Sequence, residues 1–353
     1  MFQSFLLNTR ARTLVVACAG LLFWAGACAG ARAQTVGDDE TVTVKSDLVL
    51  LNVGVADLKG RPVLDLSRGD FVVYEDGVRQ TIQSFEPSQA PFSLVLLLDM
   101  SGSTLNFRTS LKQAAIRFLD ALGPEDRAAL VTFCAPQKKG QTQERIETLT
   151  PFTTDRRKLA QGITLAEGAG GTNLYRALQY SLRELAKEGQ RRKAVVVLTD
   201  GVDTELDRQD RTLTSNAATT DEALAALKPE ASPLLNAVLN AADRQGVTIY
   251  PMALPSGDPK RFEPLTPPQA AKYAAARARL ELLANRTGGQ LHNVYRLEDM
   301  GRIYAQVAAE MRTLYSLAYQ SSGAKRDGSW RAITIEVTRP ELVARTRPGY
   351  YAK

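Results

Sequence analysis

The stretch PFSLVLLLDMSGS, Pro91 to Ser103, decides the fold. From Phe92 to Leu98 it is almost continuously apolar, the pattern of a parallel strand covered by helices on both faces rather than of a strand with one wet side. The apolar run stops at Asp99, and the loop Asp99-Met100-Ser101-Gly102-Ser103 leads straight into a helical pattern from Thr104 to Leu122. A strand that ends in an acid and passes through a short polar loop into a helix is the unit of an open α/β sheet. Ligands of such sheets sit outside the carboxyl ends of the strands.

Working outward, similar apolar runs recur at Ala128 to Phe133, Ala194 to Leu198 and Val247 to Ala253. Helical patterns lie between and after them, at Arg156 to Leu165, Leu174 to Lys187, Leu234 to Arg244, Ala270 to Asn285 and Leu297 to Leu314. The alternation predicts a doubly wound α/β domain over residues 91–314. The polar stretch Thr204 to Ser232 reads as an extended loop with one short helix, Asp221 to Leu227, and as a rim beside the ligand edge.

Both flanks read as β. Residues 41–55 alternate, and Phe71 to Tyr74 leads through Glu75-Asp76-Gly77 into Val78 to Phe85, a hairpin signature. Beyond the last helix, Tyr315 to Gln320, Trp330 to Thr338 and Leu342 to Thr346 alternate again, separated by the turn-rich Ser321 to Gly328. About 50 residues of strands cannot bury a sufficient core alone. Residues 34–90 and 315–353 are therefore expected to join into one small all-β sandwich from which the α/β domain is inserted.

The chain has 353 residues with 44% hydrophobic and 23% charged, the balance of a soluble globular protein. That excludes wholesale disorder, collagen and multispan membrane folds. A single histidine excludes clustered-His zinc sites and the two-His metalloprotease helix, so any metal must sit among oxygens. Arg10 and Arg12 precede an apolar run from Leu14 to Ala31, and Ala31-Arg32-Ala33 places small residues where a signal peptidase reads. Residues 1–33 are read as a signal peptide cleaved after Ala33, in preference to an uncleaved anchor or a lipoprotein cut before Cys28. Arg10, Arg12 and Arg32 leave with it and no acid does, so the net charge falls from +6 to +3. The mature chain is then exported, carries no membrane-spanning segment, and keeps Cys134 as its one cysteine, read as a buried small hydrophobe. The basic clusters Arg156-Arg157-Lys158 and Arg191-Arg192-Lys193 stand at a helix start and just before a strand, where a solvated edge is a better account than a nucleic-acid track.

Three loops put oxygens at the carboxyl edge. Asp99, Ser101 and Ser103 lie on the first; Thr172 follows Gly170-Gly171 before a helix; Asp200 ends the strand from Ala194 in Thr199-Asp200-Gly201. Any one of these residues alone would be an ordinary helix cap. Five in order, with glycines that let two of the loops bend, suit a hard cation such as Mg²⁺, which takes oxygen ligands in octahedral geometry and retains waters.

The constellation resembles the metal-ion-dependent adhesion site of von Willebrand factor type A domains: a D-x-S-x-S loop, a Thr on a second loop and an Asp on a third, matched here by Asp99, Ser101, Ser103, Thr172 and Asp200. The resemblance covers roughly Pro91 to Leu314 and implies a Rossmann-like domain. The flanks Asn52 to Phe85 and Tyr315 to Tyr351, including Arg347-Pro348-Gly349-Tyr350, further resemble a secreted bacterial subfamily of acidobacterial type. It implies Mg²⁺ or Mn²⁺, with Ca²⁺ behind them, held directly by Ser101, Ser103 and Thr172, while Asp99 and Asp200 act through water. A cation so held keeps a free position for an Asp or Glu carboxylate of a protein partner. The expected function is thus an exported, non-enzymatic binding or adhesion module, in the periplasm, at the cell surface or secreted. Asp203 is read as a loop cap.

Two other classes compete. A phosphatase of the haloacid-dehalogenase type would use Asp99 as nucleophile, but it needs an acid two residues later, where Ser101 stands. A structural envelope protein with an unused metal loop is the other. Arg68-Gly69-Asp70 reads as a turn before a strand rather than an adhesion tripeptide, Asn285-Arg286-Thr287 as a helix end rather than a glycosylation site, and His292 as a strand residue rather than a base.

Overall fold

In the computed structural model, residues 48–88, 90–135, 145–189, 191–254, 265–323 and 326–352 are described. The signal peptide reading and residues 34–47 lie outside them. The decisive run is strand β5, Phe92–Asp99, and every one of its residues is buried. It is flanked in parallel by β6, Arg127–Cys134, and β8, Arg192–Thr199. Beyond β8 follow β9, Val247–Ala253, and the two-residue β10, His292–Asn293; beyond β6 lies β7, Arg145–Thr153, antiparallel. The order β10-β9-β8-β5-β6-β7 reverses direction between β5 and β8. This is the switch point of a doubly wound sheet, where the crossovers leave to opposite faces and open a crevice.

Alternation along β5 feeds two cores. Leu94, Leu96 and Leu98 pack with α1 (Arg108–Asp120), α2 (Arg156–Leu165) and α8 (Met300–Thr313), while Val95 and Leu97 pack with α3 (Leu174–Ala186), α6 (Pro233–Gln245) and α7 (Pro267–Thr287). Each such leucine, fully withdrawn from water, contributes roughly 1.5–3 kcal/mol.

The structure corrects the sequence reading at four places. The run Val78 to Phe85, read as one strand, breaks at Thr81 into two strands that join different sheets. The helix expected from Thr104 begins as a 3₁₀ segment, Gly102–Phe107, because the Thr104 hydroxyl bonds back to the carbonyls of Asp99 and Ser101 at 3.0 and 2.9 Å. Strand β7 was not anticipated; Pro151 and alternating threonines hide its period, and both suit an edge strand. Most important, Thr204 to Ser232 is not an extended loop. It forms α4, Thr204–Thr214, α5, Thr220–Leu227, and a 3₁₀ turn, Pro229–Ala231. The buried face of α4 is Leu206, Asp207, Asp210 and Thr214. Asp210 is buried because Arg279 of α7 grips it through two bonds of 2.7 and 2.8 Å. A helix whose inward face is mostly polar shows no hydrophobic period.

The flanks form two antiparallel four-stranded sheets. One is ordered β13-β1-β11-β4, with β1 at Leu48–Asp57, β4 at Ile82–Glu86, β11 at Leu314–Gln320 and β13 at Leu342–Arg345. The other is ordered β14-β12-β2-β3, with β2 at Phe71–Glu75, β3 at Val78–Gln80, β12 at Trp330–Val337 and β14 at Gly349–Tyr351. Each mixes strands from both ends of the chain, and both feed one core that includes Leu51, Val53, Phe71, Val73, Tyr315 and Leu317. The β2–β3 hairpin turns on Asp76 and Gly77, both left-handed at φ 48° and 78°, the geometry that Asp-Gly supplies.

The sandwich is bolted to the α/β layer by buried polar groups. Arg347 donates to the carbonyl and carboxylate of Asp243 at 2.9 and 3.1 Å. Arg286 reaches the same carboxylate at 2.9 Å and stacks 4.3 Å from the Trp330 ring centre. Arg192 donates to Met311, Leu314 and Ala90 carbonyls, tying both crossings between the layers. The Arg347-Pro348-Gly349-Tyr350 motif is therefore a structural anchor.

The discounted motifs are structural. Asp70 accepts from the backbone and hydroxyl of Ser67, both at 2.8 Å, inside a 3₁₀ turn. Thr287 is buried, its hydroxyl accepting the Ile249 N–H at 3.0 Å, and Gly288 at φ 79° ends α7. His292 is half-buried, 3.8 Å from Glu310, and Cys134 is a buried free thiol. Among the described residues no helix is long and apolar enough to cross a membrane.

Candidate metal centre

Asp99 leaves β5 at the switch point, and its two carboxylate oxygens do different things. Oδ1 accepts the Ser101 N–H at 2.9 Å, which bends the loop as an Asx turn; Oδ2 accepts the Thr199 hydroxyl at 2.8 Å, across to β8. The bend carries Ser101 and Ser103 to the same side, with their hydroxyl oxygens 3.0 Å apart. Asp200, just past β8, accepts the Val202 N–H at 3.0 Å and the Ser103 hydroxyl. Asp99, Ser101, Ser103 and Asp200 thus form one hydrogen-bonded group.

Thr172 reaches this edge through its loop. The Gly102 N–H donates to Gly170 O at 2.8 Å, a contact close enough that a Cβ on Gly102 would stand 3.2 Å from that oxygen. Thr172 and Thr204 exchange two bonds of 2.8 Å, backbone N–H to hydroxyl and backbone N–H to carbonyl. Gly171 is required there, since a Cβ would lie 2.6 Å from the Thr204 hydroxyl. Asp203 caps α4 by accepting from Glu205 and Leu206 at 2.9 and 3.2 Å, the role expected of it.

Sequence reasoning missed the residue that ties the first two loops. Arg108 donates to Gly168 O at 2.8 Å and to the Met100 and Ser101 carbonyls at 2.9 and 3.0 Å. The sequence carried no signal for it, since the helical pattern read from Thr104 places Arg108 a turn inside the helix.

The electrostatics set this edge apart. Asp99 is wholly buried and Asp200 is 7% exposed, while Ser103 faces solvent. Burial, and then the charge of Asp200, push the Asp99 carboxyl up to about 7, against the hydrogen bonds from Ser101 and Thr199. Burial raises Asp200 as well, opposed by the Val202 N–H, the Ser103 hydroxyl and the Lys272 charge. Neither carboxylate has a salt bridge among the described residues. Two buried carboxylates in electrostatic reach of each other, with the Ser101 and Ser103 hydroxyls beside them and Thr172 on the adjoining loop, are a donor set that a hard divalent cation fits. Among the described residues no cluster of three or more His, Cys, Asp or Glu side chains offers a softer or more anionic alternative.

The sequence profile of the von Willebrand factor type A domain matches residues 94–202, a span that starts in β5 and ends just past Asp200. The chain carries a von Willebrand factor type A domain. Solved structures similar to it include a von Willebrand factor type A protein from Catenulispora acidiphila, 12% identical, TM-score 0.45, covering 88% of this chain and 64% of that one. Another is the von Willebrand domain of the type V pili tip protein Mfa5 from Porphyromonas gingivalis, 14% identical, TM-score 0.44, covering 63% of this chain and 95% of that one. A third is proximal thread matrix protein 1 from the mussel byssus, described with a zinc-occupied adhesion-site motif, 15% identical, TM-score 0.41, covering 66% and 48%. No curated protein matches the chain. In the type A domain the matched span holds all five of Asp99, Ser101, Ser103, Thr172 and Asp200.

Proposed function

We propose that the type A domain holds Mg²⁺ or Mn²⁺ among Asp99, Ser101, Ser103, Thr172 and Asp200, and that the protein is an exported, non-enzymatic module that captures an Asp or Glu carboxylate of a protein partner. The observation that carries this reading is the pair of buried carboxylates, Asp99 and Asp200, with no salt-bridge partner among the described residues. When bound, the cation supplies a Lewis-acidic point for an anionic oxygen. Arg108 and the Thr172–Thr204 exchange hold the three loops in register. Ser101 stands where a phosphatase would need its second acid, which favours binding over hydrolysis. The signal-like N-terminus supports export.

Calorimetric titration of the purified protein with Mg²⁺ and Mn²⁺ tests the site, and a pull-down from bacterial envelope extract with and without chelator, repeated with Asp99→Ala, tests the partner. Saturable uptake and chelator-sensitive capture, both lost in the variant, are expected. Absence of uptake overturns the proposal, and phosphate release from generic esters that vanishes with Asp99→Ala would replace it with an enzyme.

A further inference from the structure

The basic triplet Arg191-Arg192-Lys193, expected at a solvated edge, stands at the start of β8, the end away from Asp200. Arg192 turns inward to the Leu314 carbonyl, and Arg191 donates to the Glu125 carbonyl at 2.7 Å. Lys193 is half-buried and makes no hydrogen bond or ion pair among the described residues. The acid whose charge it feels, Glu188, is already held by Arg127 at 2.7 Å and by the Ser93 hydroxyl at 2.8 Å.

Lys193 lines a cleft of about 220 Å³ between the amino end of the α/β sheet and the outer face of the β13-β1-β11-β4 sheet. Strand pairing places its walls. Lys193 is opposite Val247 of β9, and the preceding Gly246 abuts β1 so closely that a Cβ on it would stand 2.5 Å from the Leu50 Cβ. Across the outer sheet Leu50, Ala318 and Ser84 form one row; two residues along, on the same face, Asn52, Ser316 and Glu86 form a second. The first row, with Leu48, offers open apolar surface, since Leu48 is 44% and Leu50 37% exposed. The second ends on Glu86, half-buried and likewise without a hydrogen bond or ion pair from its side chain among the described residues.

The cleft therefore presents an unpaired ammonium, an unpaired carboxylate and apolar surface together. It is smaller than the roughly 300–1,000 Å³ of pockets for drug-sized ligands, with room for about one amino acid. A simple anion would suit Lys193 and be repelled by Glu86, and a simple cation would reverse the conflict; a zwitterion meets both with charge-assisted hydrogen bonds. We propose that this cleft binds a free α-amino acid with an apolar side chain, its carboxylate to Lys193, its ammonium to Glu86 and its side chain on Leu48 and Leu50. The site lies at the opposite end of the parallel strands from the metal centre and does not depend on it.

The test titrates the full mature chain, in chelator, with L-leucine, with isocaproate, which is leucine without its ammonium, and with isoamylamine, which is leucine without its carboxylate. NMR should show L-leucine shifting the Leu48 and Leu50 methyl signals and the Gly246 amide to saturation, and binding about tenfold or more tighter than either analogue. Lys193→Met should bring L-leucine to within about twofold of isoamylamine, and Glu86→Gln to within about twofold of isocaproate. The analogues probe each charge on the wild type, so the test stands even if a variant fails to fold. No saturable shift with L-leucine, equal binding of L-leucine and isocaproate or isoamylamine by the wild type, or an L-leucine affinity unchanged in folded Lys193→Met overturns the proposal. Because the titrations are run in chelator, failure of Mg²⁺ uptake would count against the metal reading alone.

Discussion

Replacing Asp99 by Asn should change both the stability of the metal-free protein and the pH dependence of metal uptake. The Asp99 carboxyl is pushed from an ordinary 3.8 up to about 7 by burial and by the charge of Asp200. Its folded value therefore lies above its unfolded one. Between these values the folded, metal-free protein holds a proton that the unfolded chain has released. The stability this group contributes is complete below about pH 4, declines by about 1.4 kcal/mol per unit, and is gone above about pH 7, a change of about 4 kcal/mol in all. A divalent cation must displace that proton, so the apparent Mg²⁺ affinity should weaken by up to about tenfold per unit below pH 7 and level off above it. Urea unfolding of wild type and Asp99→Asn in chelator, from pH 5 to 8, reads Asp99 together with its electrostatic neighbour Asp200, because titrations farther away cancel in the difference. Mg²⁺ calorimetry in buffers of unlike ionisation heat counts released protons, expected near about one at pH 6 and falling toward zero at pH 8. Parallel stability profiles for the two proteins, with one Mg²⁺ affinity at pH 5.5 and 8, would refute the reasoning.

Further outcomes follow from named contacts. Gly171→Ala drives a Cβ into the Thr204 hydroxyl and should loosen the second loop, lowering Mg²⁺ affinity about tenfold or more by calorimetry while the far-ultraviolet spectrum stays native. Arg279→Met leaves Asp210 buried and unpaired and should cost about 3–5 kcal/mol in chemical unfolding, with hydrogen exchange accelerated first in α4 and α5. Arg347→Ala removes one of the two arginines on Asp243 and should cost about 2 kcal/mol or more, with Asp243→Asn restoring part of it in the double variant. Thermal denaturation of the three proteins checks this.

Four of the five candidate site residues were legible in the sequence because they follow strands whose burial on both faces leaves long apolar runs; Thr172, in the loop between α2 and α3, was legible only from its Gly-Gly turn before a helix. Asp99 after Leu98 and Asp200 after Thr199 could be placed at the carboxyl edge before any coordinates. Arg108 and Thr204 could not, since a surface-type residue that reaches back to loop carbonyls has no period to betray it. Asp203 was legible as a cap because Asp before a helix is a local signal. The hairpin at Asp76-Gly77 was legible for the same reason: two residues suffice to set two left-handed backbone conformations.

The sequence by itself determined which segments are strands and helices wherever apolar side chains repeat, the Asp-Ser-Gly chemistry of the first loop, and the need of the two β flanks for each other. Only the tertiary structure decided the order β10-β9-β8-β5-β6-β7, which puts Asp99 and Asp200 across one crevice, and the helical state of Thr204 to Thr214. The physical reason is the same in both cases. Local pattern reports how a segment meets water, whereas strand order and a polar helix face depend on partners distant in sequence, such as Thr199 for Asp99 and Arg279 for Asp210.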